Sequence, residues 1–264
     1  MRAAAWKLVG LVGLAACAAP DPDPPGVRDA VIDGQCTGDG GPRVLVYSRE
    51  TLWMHPSTPV ARDALLAMCA TEGFSVIASS DPLVFDRDRL ADIDVVVFAV
   101  TSGNVLDDVG RAAFEPWVRG GGGVVGIHSA SATEYDWPFF VELIGARFRT
   151  HPPMLLAGDV TVEDPASPVV AGLDARWPRT DEWYQFYETP DQIGGHVVLA
   201  LDEASIAGDG LPADQRSGYH PIAWTDDHLG GRMFYTAMGH TPESYSEPAF
   251  LRLLAQGITW AARR

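Results

Sequence analysis

The sequence predicts an α/β fold with a mainly parallel sheet, and three observations carry that prediction. Short uninterrupted apolar runs, Val44-Leu45-Val46-Tyr47, Val95-Val96-Val97-Phe98 and Val124-Val125-Gly126-Ile127, are rich in β-branched residues, as strands covered on both faces should be. Segments of helical period separate them, so strand and helix alternate through the first half. The second half carries strand patterns joined by turns with few helices between, which adds antiparallel strands to the same sheet.

Taken in order, residues 42–48 form the first strand. Residues 58–73 follow as a helix, with Val60, Ala64, Leu65 and Met68 on one face and Gly73 as its stop. Residues 74–79 are a second strand and 94–100 a central one. Residues 107–119 form a helix closed by Gly120-Gly121-Gly122-Gly123. Those glycines lack the lysine and spacing of a phosphate-binding loop and read as a helix-to-strand turn. Residues 124–128 are another buried strand, and 135–143 a helix or part of one. Residues 159–163 alternate like a surface strand. Residues 197–201, 221–224 and 232–236 are further strands, the last two flanking the Asp/Gly-rich hairpin turn at 226–231. A helix from about 248 to 262 closes the chain.

The N-terminus has another character. Arg2 and Lys7 precede an apolar run over 8–16, far shorter than the ~20 residues a membrane span needs. A basic start, a short apolar centre and small residues at the end make residues 1–16 a signal peptide. It ends Leu14-Ala15-Ala16-Cys17, which resembles the lipobox of bacterial lipoproteins and implies cleavage before Cys17 and acylation of its thiol. Residues 17–41 then read as a lipidated cysteine and a tether, because Pro20-Asp21-Pro22-Asp23-Pro24-Pro25 is too polar and extended to build a core. Residues 42–264 remain as one domain. The anchor places it in the cell envelope, at a periplasmic or outer-membrane face, with the membrane touched through the lipid only.

Apolar residues make up 47% of the chain, enough for a core, and the formal charge is −16. That acidity argues against nucleic-acid binding, which needs a basic footprint. Besides Cys17 only Cys36 and Cys69 remain. Export permits a disulfide between them, two free thiols are the alternative, and no cysteine pair has zinc-site spacing.

The ordered set Val44-Leu45-Val46, Val95-Val96-Val97-Phe98, Val124-Val125-Gly126-Ile127-His128-Ser129, Thr180-Asp181-Glu182-Trp183-Tyr184, His220-Pro221-Ile222-Ala223-Trp224 and Gly231 to His240 resembles the ThuA-like family, named for trehalose utilisation. The resemblance runs from about Arg43 to Ala261. It implies a flavodoxin-like sandwich similar to the class I glutamine amidotransferases, and a role in metabolism of trehalose or a related sugar. Those amidotransferases carry a cysteine nucleophile at a sharp strand-to-helix turn. The matching place here holds His128, so glutaminase activity is not expected.

In an open α/β sheet, ligands bind at the carboxyl ends of the strands. His128 and His240 each end a predicted strand, and imidazole near neutral pH serves as acid, base or metal ligand. A carboxylate such as Glu182 can orient a ring or complete a metal shell. His128, His240 and Glu182 are therefore the candidate catalytic residues, and the same three are candidate ligands of Zn²⁺ or another divalent metal. No H-x-x-x-H pair supports a metal by spacing, so metal-free acid–base chemistry stays open. His55, His151 and Asp181, with the aromatic Trp53, Trp183 and Tyr184, are candidates for substrate binding. Aromatic faces suit sugar rings, although aromatics also fill cores. Ser129 reads as a helix cap rather than a nucleophile, and His196 and His228 as solvated turn residues. Three functions stay open: a hydrolase or lyase taking a small-molecule sugar, a non-catalytic saccharide-binding module, and a partner of a membrane sugar oxidoreductase complex. The oligomeric state is unspecified.

Overall fold

The computed structural model describes residues 30–188, 190, 194–208 and 210–262. The expected signal peptide and lipidated Cys17 lie outside the described residues. Strand β1 (Gly34–Cys36) is followed by β2 (Arg43–Tyr47), helix α1 (Ser57–Glu72), β3 (Ser75–Ser79), a short α2 (Arg87–Leu90), β4 (Val95–Ala99), α3 (Asp108–Arg119) and β5 (Gly123–Ile127). Every residue of β4 and β5 is buried, which is why their sequences are apolar without alternation. Gly73, at φ +72°, terminates α1 in the left-handed conformation that glycine adopts without a Cβ penalty. Asp107 caps α3, accepting from the Gly110 N–H at 2.7 Å.

The strand order is β3-β2-β4-β5 through this parallel half. The chain leaves β2 first toward β3 and then returns to β4 on its other side. Right-handed crossovers then place α1 and α3 on opposite faces of the sheet, and the reversal opens a crevice at the carboxyl ends of β2 and β4. On the α3 face, Phe98 of β4 packs edge-on against Phe114 at 5.4 Å and Phe140 at 4.9 Å.

Phe140 belongs to α4 (Pro138–Ile144), which starts three residues later than predicted. Trp137 precedes a proline, whose ring disfavours helical geometry there, and Pro138 itself fits the first helical position. The second half adds β6 (Phe148–Thr150), β7 (Leu156–Val162), β8 (Arg176–Asp181), β9 (Gln185–Phe186), β10 (His196–Asp202), β11 (Pro221–Asp226), β12 (Met233–Thr236) and the closing helix α5 (Pro248–Ala261). Strand β12 pairs parallel with β5, and the sheet continues antiparallel through β11, β10 and β7 to the edge strand β8. The β11–β12 hairpin is as predicted. Strand β8 was not legible because its inward positions include Arg179 and Asp181, and Pro178 is tolerated there only because β8 is an edge. No helix among the described residues is long and apolar enough to cross a membrane.

The expected tether needs one correction. Gly34–Cys36 is not spacer: it pairs antiparallel with β3, and Cys36 is joined to Cys69 of α1 by a disulfide, so the folded unit begins before residue 42. A three-residue edge strand carries little cohesion of its own, and the covalent bond supplies it. The bond spans 33 residues of sequence. A Cys36→Ser variant is expected to lose about 2–4 kcal/mol of stability, as loops of this size predict. Urea unfolding checks this, and a midpoint equal to the wild type would overturn it.

Candidate functional site

Three chain segments meet at the carboxyl ends of β2, β5 and β12. After β2, the loop is held at a bridge between Glu50 and Ser102 and then turns toward α1. Glu50 accepts from the His55 backbone N–H at 2.8 Å and contacts its ring Nδ1 at 2.7 Å. That hydrogen bond leaves Nε2 as the ring nitrogen of His55 free to meet a ligand.

His128 follows β5 at φ +54°, a left-handed conformation that costs a non-glycine residue strain. The strained turn projects its ring into the site. Its Nδ1 donates to the Ala237 carbonyl at 2.8 Å, so its lone pair sits on Nε2. Complete burial holds His128 well below the ordinary histidine pKa, reinforced by the neighbouring His55, His240 and His151, with the Ala237 bond opposing. A neutral ring is the form that can ligate a metal. The Tyr184 hydroxyl lies 2.7 Å from that Nε2. Burial holds Tyr184 in its protonated form, so it donates to that lone pair, which a bound metal ion would take in its place.

His240 follows β12. Its Nδ1 lies 3.3 Å from His128 Nε2 and 3.0 Å from one Glu182 oxygen. Burial pulls its pKa down, but the Glu182 hydrogen bond and charge, with Asp181, outweigh this and raise it. The same Glu182 oxygen is 3.6 Å from His128 Nε2, and the other is 3.6 Å from His151 Nδ1. One ligand atom from each of His55, His128 and His240 falls within 4.8 Å of the others. Their ring centroids are 5.2–5.6 Å apart. Two imidazole nitrogens at 3.3 Å are spaced as neighbouring ligands about 2.0–2.1 Å from one tetrahedral zinc would be. Three ring nitrogens beside one carboxylate form a donor set that suits a divalent cation.

Asp181 assembles this geometry without entering it. Fully buried, it accepts from the backbone N–H groups of Glu182 at 2.9 Å, Gly239 at 2.9 Å and His240 at 3.1 Å, and pairs with Arg179 at 2.9 Å. One carboxylate thus pins the two strand ends that carry Glu182 and His240.

The predicted site residues sort as follows. His55, His128, His240, Glu182, Tyr184 and His151 converge, with His151 at the margin and its Nδ1 2.6 Å from the Pro152 carbonyl. Three substrate-binding expectations need correction. Trp183 is buried, and its indole N–H donates to the Leu156 carbonyl, so no face is open to a sugar. Asp181 has no exposed surface and is engaged by backbone donors. Tyr184 is buried and directs its hydroxyl at His128. His55 moves from substrate binding to the metal-type triad. Glu50 was missed. The only signal was a carboxylate five residues before His55, which means nothing until the loop folds back. His196 and His228 are exposed and ion-paired with nearby acids, as solvated residues should be.

Solved structures share the fold. A putative ThuA-like protein from Bacteroides uniformis ATCC 8492 superposes with TM-score 0.70 at 24% identity, covering 86% of this chain and 94% of its own. One from Parabacteroides merdae ATCC 43184 gives 0.66 at 22% identity, covering 84% and 90%. The β-galactosidase of Bacillus circulans sp. alkalophilus contains the same fold in 30% of its length, with TM-score 0.51 at 12% identity over 83% of this chain. These likenesses establish a flavodoxin-like α/β architecture. No curated protein matches the chain. Residues 43–261, nearly the whole described domain, match the family ThuA, described as trehalose utilisation, and the chain belongs to that family.

Proposed function

We propose that His55, His128 and His240 hold a divalent metal of the zinc type, and that the centre acts as a hydrolase or lyase on a sugar at the cell envelope. The convergence of three ring nitrogens, two with the tautomer set by a partner on the opposite nitrogen, is the observation that carries the reading. Three protein ligands leave a coordination position open, the arrangement of catalytic rather than structural zinc sites. A bound cation there supplies Lewis-acid polarisation of a sugar oxygen. Glu182 stands beside the triad, 12% exposed, and serves as the base that takes a proton from the substrate or from water. His151 stands 3.6 Å from its second oxygen, and the Tyr184 hydroxyl faces the same space. The sugar is supported by the family's association with trehalose utilisation. The envelope location is supported by the Leu14–Cys17 lipobox and by the Cys36–Cys69 disulfide, which an oxidising compartment sustains.

The test is elemental analysis of protein purified without a metal-affinity tag, paired with a Glu182→Gln variant. The wild type should carry near-stoichiometric metal or take up added Zn²⁺. Glu182→Gln should keep the metal while losing about 10²–10⁴-fold in turnover of any glycoside that the wild type consumes from a panel including trehalose. A wild type that binds no divalent metal would overturn the metal centre. A variant that retains full turnover would remove Glu182 as the base.

A further inference from the structure

The rim of the histidine centre is apolar and exposed. Trp53 is 43% exposed, between Leu52 at 53% and Met54 at 77%, and it stands two residues before His55. The segment after His151 likewise exposes Met154 and Leu155. Phe148 links the two loops, with its ring 5.6 Å from that of Trp53 and 5.9 Å from that of His151.

A tryptophan on a surface loop is ordinarily free to move. This one is fixed. Its backbone N–H donates to the buried Ser102 hydroxyl at 3.0 Å, and that hydroxyl donates back to the Trp53 carbonyl at 2.7 Å. The Thr51 N–H donates to the Ser102 carbonyl at 2.8 Å. Gly103, at φ +76°, lets the loop lie directly on the backbone, since a Cβ there would collide with Thr51 and Leu52. Phe148 braces the indole edge-on. Exposed apolar clusters mark binding surfaces, and an aromatic face fixed in advance binds with less loss of entropy than a mobile one.

We infer that Trp53 is the stacking surface for a second ring of the substrate: a sugar occupies the histidine centre while its ring-bearing leaving group lies flat on the indole. This rests on the carbohydrate reading above. Pyranose rings and aryl groups share the required property, a flat apolar face of about ring size. The site is therefore built for two-ring glycosides, and Trp53 sets that preference without touching the reacting atoms.

Calorimetric binding of methyl α-D-glucopyranoside, 4-nitrophenyl α-D-glucopyranoside and trehalose tests this. The wild type should bind the two ring-bearing probes about tenfold more tightly than the methyl glycoside, the scale of one aromatic contact. Trp53→Ala should bring all three within about threefold, with metal content and methyl-glycoside affinity unchanged, and Trp53→Phe should restore most of the gap. A gap that persists in Trp53→Ala, or a wild type that binds the methyl glycoside as tightly as the others, overturns the stacking role alone. A wild type that binds none of the three while holding metal overturns the carbohydrate reading and this inference with it.

Discussion

The His240→Ala protein should purify without stoichiometric metal and show no thermal shift with added Zn²⁺, while folding normally. His240 is only half-buried, so its loss opens little cavity, yet it supplies one of three nitrogens. A graded series makes the expectation specific. Glu50→Gln removes the carboxylate that orients His55 and should weaken Zn²⁺ binding by about 10–100-fold. Loss of a ligand itself should weaken it by more than that. His128 needs a different substitution. At φ +54° the histidine already carries the strain of a Cβ in left-handed backbone, roughly 1–2 kcal/mol, and an alanine would keep that strain while losing the ring. His128→Gly removes the ring and that strain together, so added backbone strain cannot account for a loss of metal. Equal Zn²⁺ affinity across the wild type, His240→Ala and His128→Gly, by competition with a chromophoric chelator, would sink the metal centre.

Asp181→Ala should be the most destabilising single change in the site, by about 3–5 kcal/mol in urea unfolding, because it strands a buried partner of an ion pair. Arg179 is only 3% exposed in its side chain, held between the rings of Trp177 at 4.9 Å and Phe250 at 4.8 Å. Glu247 approaches it to 3.3 Å without hydrogen-bonding geometry, so Asp181 is its principal partner. Three backbone N–H groups lose their acceptor at the same time. Stability and metal affinity should therefore fall together in Asp181→Ala, whereas Glu182→Gln should leave stability close to the wild type. A loss under about 1 kcal/mol would show that water replaces the carboxylate and that the clamp is not structural.

Much of this molecule was legible in the residues. The buried runs at Val44, Val95 and Val124, the Gly73 stop, the Asp226–Gly231 turn and the closing helix all appear where their patterns place them. His128 and His240 were legible as candidates because each closes a strand pattern in the sequence, and the structure brings the two together. The failures share a cause. Strand β8 turns Arg179 and Asp181 inward, so its apolar alternation is broken by charges that satisfy one another only after folding. Trp183 and Tyr184 sit beside Glu182 in sequence, yet one packs into the core and the other meets His128, since backbone direction after β8 decides which face each side chain takes. Gly34–Cys36 lay in a stretch dominated by proline and aspartate, and its strand exists through pairing with β3 and the bond to Cys69.

The sequence by itself determined the α/β alternation, the limits of the first and last helices to within a residue or so, and the identity of the histidine at the strand-to-helix turn. Those features depend on periods, caps and turns that act over a few neighbouring residues. Only the tertiary structure decided that His55, His128 and His240 share one point, that Glu50 and Ala237 set two of their tautomers, and that Asp181 is a clamp rather than a substrate contact. His128 and His240 are 112 residues apart, and their 3.3 Å approach is fixed by β5 and β12 lying side by side in the sheet. No local pattern encodes a distance between residues that become neighbours only through strand order.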